Sequence, residues 1–155
     1  MTRQTTKKCI RLDWLFYLVA VILLIWVLYT ATMRELASIP IRDATANLEA
    51  FGLVTIRFST DPFPPLPTGT TTMNFMPMDT RQLAVDVDQI NYEYGPKGSD
   101  QPTGSGMAQL MPDGSGMYMA GAEFSYVGDW WVKVKISKGD AQAEVNISVY
   151  VEPAQ

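Results

Sequence analysis

The sequence predicts a mainly β protein, an antiparallel β-sandwich of about seven strands behind one N-terminal transmembrane helix. Two observations predict this architecture. A run of twenty uncharged, mostly apolar residues lies close to the N-terminus, and stretches of alternating apolar and polar residues fill the chain from residue 53 onward. Alternation with a period of two is typical of antiparallel strands that bury one face. The 155 residues are enough for one such domain and a short membrane segment.

The predicted transmembrane helix covers residues 14–33, with the sequence WLFYLVAVILLIWVLYTATM. A helix of that length spans about 30 Å, the thickness of the hydrocarbon core of a bilayer. Residues 1–13 carry four basic groups and one acid, a net charge of +3. The positive-inside rule therefore places this basic tail in the cytoplasm. We expect a single-pass protein of the cell membrane whose C-terminal domain lies on the periplasmic or cell-surface side.

A cleaved signal peptide is the competing interpretation of the same segment. Signal peptides have a shorter apolar region and end on small residues, whereas this run ends on Thr30-Ala31-Thr32-Met33. The sequence therefore favours an uncleaved anchor. Cys9 precedes the apolar run, so it is not a lipoprotein cysteine; palmitoylation and an inert reduced thiol both remain open, and we favour the thiol.

Residues 34–52 are predicted to form a neck with a short helix. Pro40 ends any continuation of the membrane helix, Asp43 is a helix-capping residue and Gly52 is a stop signal. Three apolar residues between the two signals fall on one helical stripe: Ala44, Leu48 and Phe51. Two turns of helix are unstable alone, so this segment is expected to pack against the domain.

Residues 53–155 are predicted to form an immunoglobulin-like β-sandwich. Alternating stretches are separated by turn signals at 113–116 and 138–140, and a change of phase near Asp88 and Gln89 predicts a bend. Residues 95–106 are expected to form a long polar loop and 107–111 a short strand. The predicted core contains Tyr118, Phe124 and Trp130, with Trp130 as its large central residue.

Three sequence stretches resemble the YtkA-like/FixH family. They are VTIRFSTDPFPPLPTGTTTMNFMPMD, DGSGMYMAGAEFSYVGDWWVKVKI and the closing AEVNISVYV, within roughly residues 53–152. The resemblance implies an immunoglobulin-like extracytoplasmic domain behind one membrane helix. It also implies an accessory role in haem-copper oxidase assembly, in cation transport or in copper handling. Copper-binding relatives use histidine together with methionine, and this chain has no histidine, which leaves only thioether-based Cu(I) binding open.

Composition excludes several classes of function. The absence of histidine excludes Ser-His-Asp and Cys-His catalysis, and a single cysteine excludes an intrachain disulfide or an iron–sulfur cluster. Residues 34–155 carry eight basic and fifteen acidic groups, so no nucleic-acid partner is expected. Asp113-Gly114-Ser115-Gly116 lacks the further acids of a calcium loop. We identify no catalytic residue and no small-molecule substrate, and we predict a protein that is not an enzyme.

The seven methionines that follow the membrane segment allow three interpretations. Some fill gaps in the core, as the phase of Met73 indicates. Others form a contact surface for another membrane-protein subunit, with Trp131, Met107 and Met111 as interface candidates. A third interpretation is a Cu(I) site, because thioethers are soft ligands and each Met-x-Met pair places both sulfurs on one strand face. The Cu(I) candidates are Met76, Met78, Met117 and Met119.

The sequence therefore predicts a non-catalytic, single-pass membrane protein. Its sandwich is expected to serve as an accessory or assembly subunit of a membrane complex, of a respiratory or copper-dependent kind by the resemblance. A Cu(I) metallochaperone that uses surface methionine pairs is the alternative. The partners expected are the bilayer and other membrane-protein subunits.

Overall fold

The computed structural model describes residues 17–28 and 40–153, and the chain divides into two units with the boundary after Ser38. In the first unit, residues 17–28 are helical. Among the described residues, no helix reaches the length and apolarity needed to cross a membrane. The basic tail with Cys9, both ends of the segment 14–33 and the first part of the neck lie outside the described residues.

The second unit is mainly β, as predicted, with two antiparallel sheets. The strands are β1 Ile41–Asn47, β2 Leu53–Asp61, β3 Thr71–Met78, β4 Gln89–Pro96, β5 Gly104–Met107, β6 Gln109–Leu110, β7 Tyr118–Ala122, β8 Gly128–Lys138 and β9 Ala141–Val151. One sheet has the order β1-β2-β3-β7-β6 and the other β5-β4-β8-β9. A 3₁₀ helix, Glu49–Phe51, connects β1 and β2.

The prediction of a short helix in the neck is wrong, because residues Ile41–Asn47 form strand β1. This strand pairs with β2 along its whole length, with Ala44 opposite Ile56, so alternate side chains face the core. Pairing with β2 supplies backbone hydrogen bonds and a buried face for β1, whereas an isolated two-turn helix is unstable on its own. Only the 3₁₀ turn remains; it buries Leu48 and leaves Phe51 exposed. The described part of the sandwich therefore includes Ile41 and does not begin at residue 53.

The core lies between the two sheets and consists of alternate residues from both. Trp130, Phe124 and Tyr118, the predicted core residues, are all buried. The Tyr118 hydroxyl donates a hydrogen bond of 2.6 Å to the carbonyl oxygen of Val87. This bond ties β7 to the segment before β4, where the chain bends at Asp88 as the phase change predicted.

The chain passes from one sheet to the other between β5 and β6. β5 pairs with β4, and two residues later β6 pairs with β7 in the opposite sheet. Buried Ala108 lies between them, and its N–H donates to the carbonyl oxygen of Ile90 at 2.9 Å. This crossing closes one side of the sandwich within a stretch predicted as part loop and part single strand.

Candidate functional site

A surface cleft of about 480 Å³ lies where β5 and β6 meet β7. None of its lining residues carries a charge. We call it the methionine cleft, after the three methionines in its wall. Its lining consists of Thr72, Tyr92, Met107, Gln109, Leu110, Met111, Pro112, Met119, Ala120 and Gly121. Its volume lies within the range of small-molecule binding sites.

Strand pairing brings the methionines of the cleft together. Gln109 pairs with Met119, and the N–H of Met111 donates to the carbonyl oxygen of Met117 at 2.8 Å. Met107 ends β5 on the other side of the sheet crossing and is 60% exposed. Three thioethers from two sheets thus line one surface cleft, and thioether side chains adapt readily to the shape of what they contact.

The turn that follows Pro112 is fixed by a local hydrogen-bond network. The Asp113 carboxylate accepts the backbone N–H of Ser115 at 3.0 Å and its hydroxyl at 2.6 Å. These bonds from the Ser115 hydroxyl and N–H hold the pKa of Asp113 below its ordinary value. An aspartate that accepts bonds two residues on forms an Asx turn, so Asp113 has a structural role here.

Tyr92 lines the cleft and links the two sheets. Its hydroxyl donates a 3.1 Å hydrogen bond to the carbonyl oxygen of Gly121, and its ring stacks near Tyr94 and Phe75. Partial burial raises the pKa of Tyr92 above its ordinary value, and the neighbouring Tyr94 hydroxyl adds a smaller effect in the same direction. The hydroxyl therefore stays protonated at neutral pH and holds this side of the sandwich closed.

The structure separates the four methionines predicted as Cu(I) ligands. Only Met119 lines the cleft; Met76 is half-buried, and Met117 is half-buried before β7. Met76 and Met119 lie on neighbouring strands and share a face, because Asn74 pairs with Met119. Met78 is 2% exposed, since the chain folds back after β3 and forms a bridge from Met78 to Ala84. The Met76/Met78 pair therefore does not present two exposed sulfurs.

Trp131, predicted as an interface residue, is half-buried and contacts its own domain. Its indole N–H donates to the carbonyl oxygen of Ser99 at 2.9 Å. It pairs with Gly95, where any Cβ would lie 2.6 Å from the indole ring. Lys133 places its ammonium 5.9 Å from the ring centroid. Trp131 thus anchors the loop after β4, and the surface hypothesis depends on Met107 and Met111.

The outer face of the second sheet carries a smaller depression of about 310 Å³ with charged walls. Glu144 and Lys133 approach to 3.8 Å across it. Among the residues that the structure describes, no three Asp, Glu or Cys side chains are grouped in a way that could hold a metal ion. Opposite charges that meet at an exposed surface interact weakly, so this face has the character of a solvated sheet face.

Comparison of the chain with models of protein families, with characterised proteins and with solved structures gives no match. The resemblance to the YtkA-like/FixH family therefore stays a prediction that rests on the sequence stretches quoted above. The methionine cleft could not be recognised from the sequence, because Met107 and Met119 come together only through the sheet crossing. The uncharged stretch Met107–Pro112 was the one signal of it in the sequence.

Proposed function

We propose that this protein is a non-catalytic, single-pass membrane protein whose extracytoplasmic sandwich, immunoglobulin-like in type, acts as an accessory or assembly subunit of a membrane complex. The observation that carries the proposal is the methionine cleft. Met107 and Leu110 are both more than half exposed beside it, without a charged residue in the lining. Exposed, contiguous apolar surface marks contact sites in soluble domains, and methionine is common where such a contact must adapt.

The hydrogen-bond pattern of β6 supports a polypeptide partner. The N–H of Met111 donates to the carbonyl oxygen of Met117. In an antiparallel pair, every second residue turns its N–H and C=O toward the neighbouring strand. The N–H and C=O of Leu110, the residue before Met111, therefore point away from β7. β6 is the edge strand of its sheet. An extended segment of a partner could pair with Leu110 and place a side chain in the cleft, which is the usual form of strand addition. A respiratory or copper-dependent complex is the assembly that the family resemblance favours.

Site-specific photocrosslinking in membranes tests this proposal. A photoreactive residue at Met107 or Leu110 is expected to crosslink to one defined membrane protein, and a Met107→Glu change should release that protein from the complex on native gels. Asn146, exposed on the outer face of the other sheet, is the matched control position. Absence of crosslinks at all three positions, with a chain that migrates alone, would contradict an accessory role.

The alternative function is Cu(I) delivery, and one observation favours it. Met107, Met111 and Met119 line the same cleft, and three thioethers are a ligand set suited to Cu(I). The full chain would be titrated with Cu(I) against a competing chelator. Sub-micromolar binding that Met107→Leu/Met119→Leu abolishes and Met76→Leu/Met78→Leu preserves would support a site in the cleft. Loss of binding only in the second pair would support the site predicted from the sequence, and no binding at all would exclude a metallochaperone.

A further inference from the structure

The end of the sandwich at which β1 begins carries a group of exposed apolar side chains. Ile41 is 50% exposed, Phe63 39%, Tyr126 45% and Val127 42%. We call this group the apolar end. Pairing places them at one end, because Ile41 lies opposite Ser59 near the end of β2 and the loops that contain the other three leave the same ends of β2 and β7.

The loops of the apolar end are held by specific contacts. The indole N–H of buried Trp130 donates to the carbonyl oxygen of Tyr126 at 3.1 Å, and the two rings lie 4.8 Å apart. On the other loop, Pro65 is buried, and its carbonyl oxygen accepts the N–H of Glu152 at 3.0 Å. The backbone on either side of the exposed rings is therefore fixed, so the apolar surface is presented in one arrangement.

Chain length limits how far this end can lie from a bilayer. The inference rests on the proposed function, in which residues 14–33 span the membrane. Residues 34–40 would then be the whole connection to Ile41, and seven residues reach at most about 25 Å. β8 and β9 have 11 residues each, and a strand of that length extends about 36 Å. The opposite end of the sandwich therefore lies much farther from this connection.

Charge indicates which part of the bilayer this end fits. Asp61 and Glu123 are exposed here, and Lys97 is paired with Asp129 at 3.1 Å. Among the described residues at this end, basic groups do not outnumber acidic ones, so anionic headgroups would not be attracted to it. The exposed side chains are instead aromatic and aliphatic, and tyrosine is enriched where the headgroups meet the acyl chains.

We propose that the apolar end contacts the bilayer in which the chain is anchored, with Phe63, Tyr126 and Val127 against the boundary between headgroups and acyl chains. Binding of this kind does not require anionic lipid.

Fluorescence quenching of the full chain in phosphatidylcholine vesicles tests the contact. In a Cys9→Ser background, an environment-sensitive fluorophore is attached at Val127→Cys or Phe63→Cys, and the matched control is Leu83→Cys. Leu83 is exposed and lies beyond the opposite end of β3. Lipid with a nitroxide close to the headgroup should quench the fluorophore at 127 and at 63 at least twofold more than at 83.

The outcomes separate this inference from the proposed anchor. Equal quenching at 63, 83 and 127 in a chain that floats with vesicles after an alkaline wash would overturn the lipid contact alone. Protection from an aqueous quencher without lipid quenching, increasing with the ratio of protein to lipid, would also overturn it and indicate a second copy at this end. A chain that does not float with the vesicles would overturn the anchor and the inference together.

Discussion

We predict that β5 needs a glycine at position 104, because the Tyr94 ring leaves no room there for a side chain. The Gly104→Ala variant tests this prediction. An ideal Cβ at this position would lie 2.6 Å from two ring carbons and from the hydroxyl oxygen of Tyr94, well inside van der Waals contact. The ring is buried, with Phe124 at 5.7 Å and Trp130 at 6.3 Å, and its hydroxyl accepts the N–H of Glu123 at 3.1 Å. The ring can give way only by disturbing these contacts.

The size of the effect follows from three opposing contributions. Overpacking a filled core costs about 1–3 kcal/mol. Loss of the hydrogen bond to the Tyr94 hydroxyl adds about 1 kcal/mol. Alanine restricts the unfolded chain and returns about 0.4–1 kcal/mol, because Gly104 is not among the glycines with a positive φ. We therefore expect Gly104→Ala to lower the free energy of unfolding by about 1–3 kcal/mol.

Urea unfolding of the full chain in detergent, followed by the fluorescence of its tryptophans, provides the measurement. Gly121→Ala is the matched control, since its Cβ would meet only the Thr70 methyl group at 3.2 Å. A double-mutant cycle isolates the clash, because Gly104→Ala in a Tyr94→Ala background should be neutral or slightly stabilising. If Gly104→Ala costs the same with and without the Tyr94 ring, the packing argument is wrong.

Three further predictions concern hydrogen bonds, pH and surface charge. Tyr118→Phe should lower the free energy of unfolding by about 1–3 kcal/mol, because it leaves the Val87 carbonyl without its 2.6 Å donor; a change within error in thermal unfolding would contradict this. Burial raises the pKa of Tyr118 above its ordinary value of 10.0, and that of Tyr92 likewise. The unfolded chain therefore loses these protons first, so stability measured by denaturant titration should fall as pH rises past about 10, less steeply in Tyr118→Phe. Arg57→Ala should leave the unfolding midpoint nearly unchanged in 150 mM salt, because its 3.1 Å pair with Asp43 is exposed; a large shift would refute this.

The second half of the sandwich was predictable because its strands carry their signals locally. β8 and β9 alternate without interruption, and Gly139-Asp140 marks the turn that joins them. Their inward residues include Trp130, the largest fully buried side chain. A two-residue hairpin with a regular alternation depends on neighbours in the chain, so the sequence contains nearly all the information that positions it.

β1 could not be assigned in the same way, because its apolar face is made of small residues. Ala44 and Ala46 pack against the core, yet alanine is a better helix former than strand former, and Asp43 resembles a helix cap. Pairing with β2 decides the outcome, since it places Ala44 beside Ile56 and Asp43 beside Arg57. That pairing depends on Gly52, whose φ of 83° lets the chain reverse after the 3₁₀ turn.

The methionine cleft depends on glycines that a sequence pattern assigns to a loop. The stretch Gly95 to Gly106 was predicted to be a polar loop, but Gly104 and Gly106 lie in β5 with the rings of Tyr94 and Tyr92 in the space a Cβ would need. A Cβ on Gly106 would lie 2.9 Å from the Tyr92 hydroxyl, the group that bonds to Gly121 across the sheets. Tyr92 can line the cleft and join the sheets only because β5 has no side chain there. The cleft is therefore as much a consequence of the missing side chains in β5 as of the methionines, which is why methionine spacing alone did not point to Met107 and Met111 as neighbours of Met119.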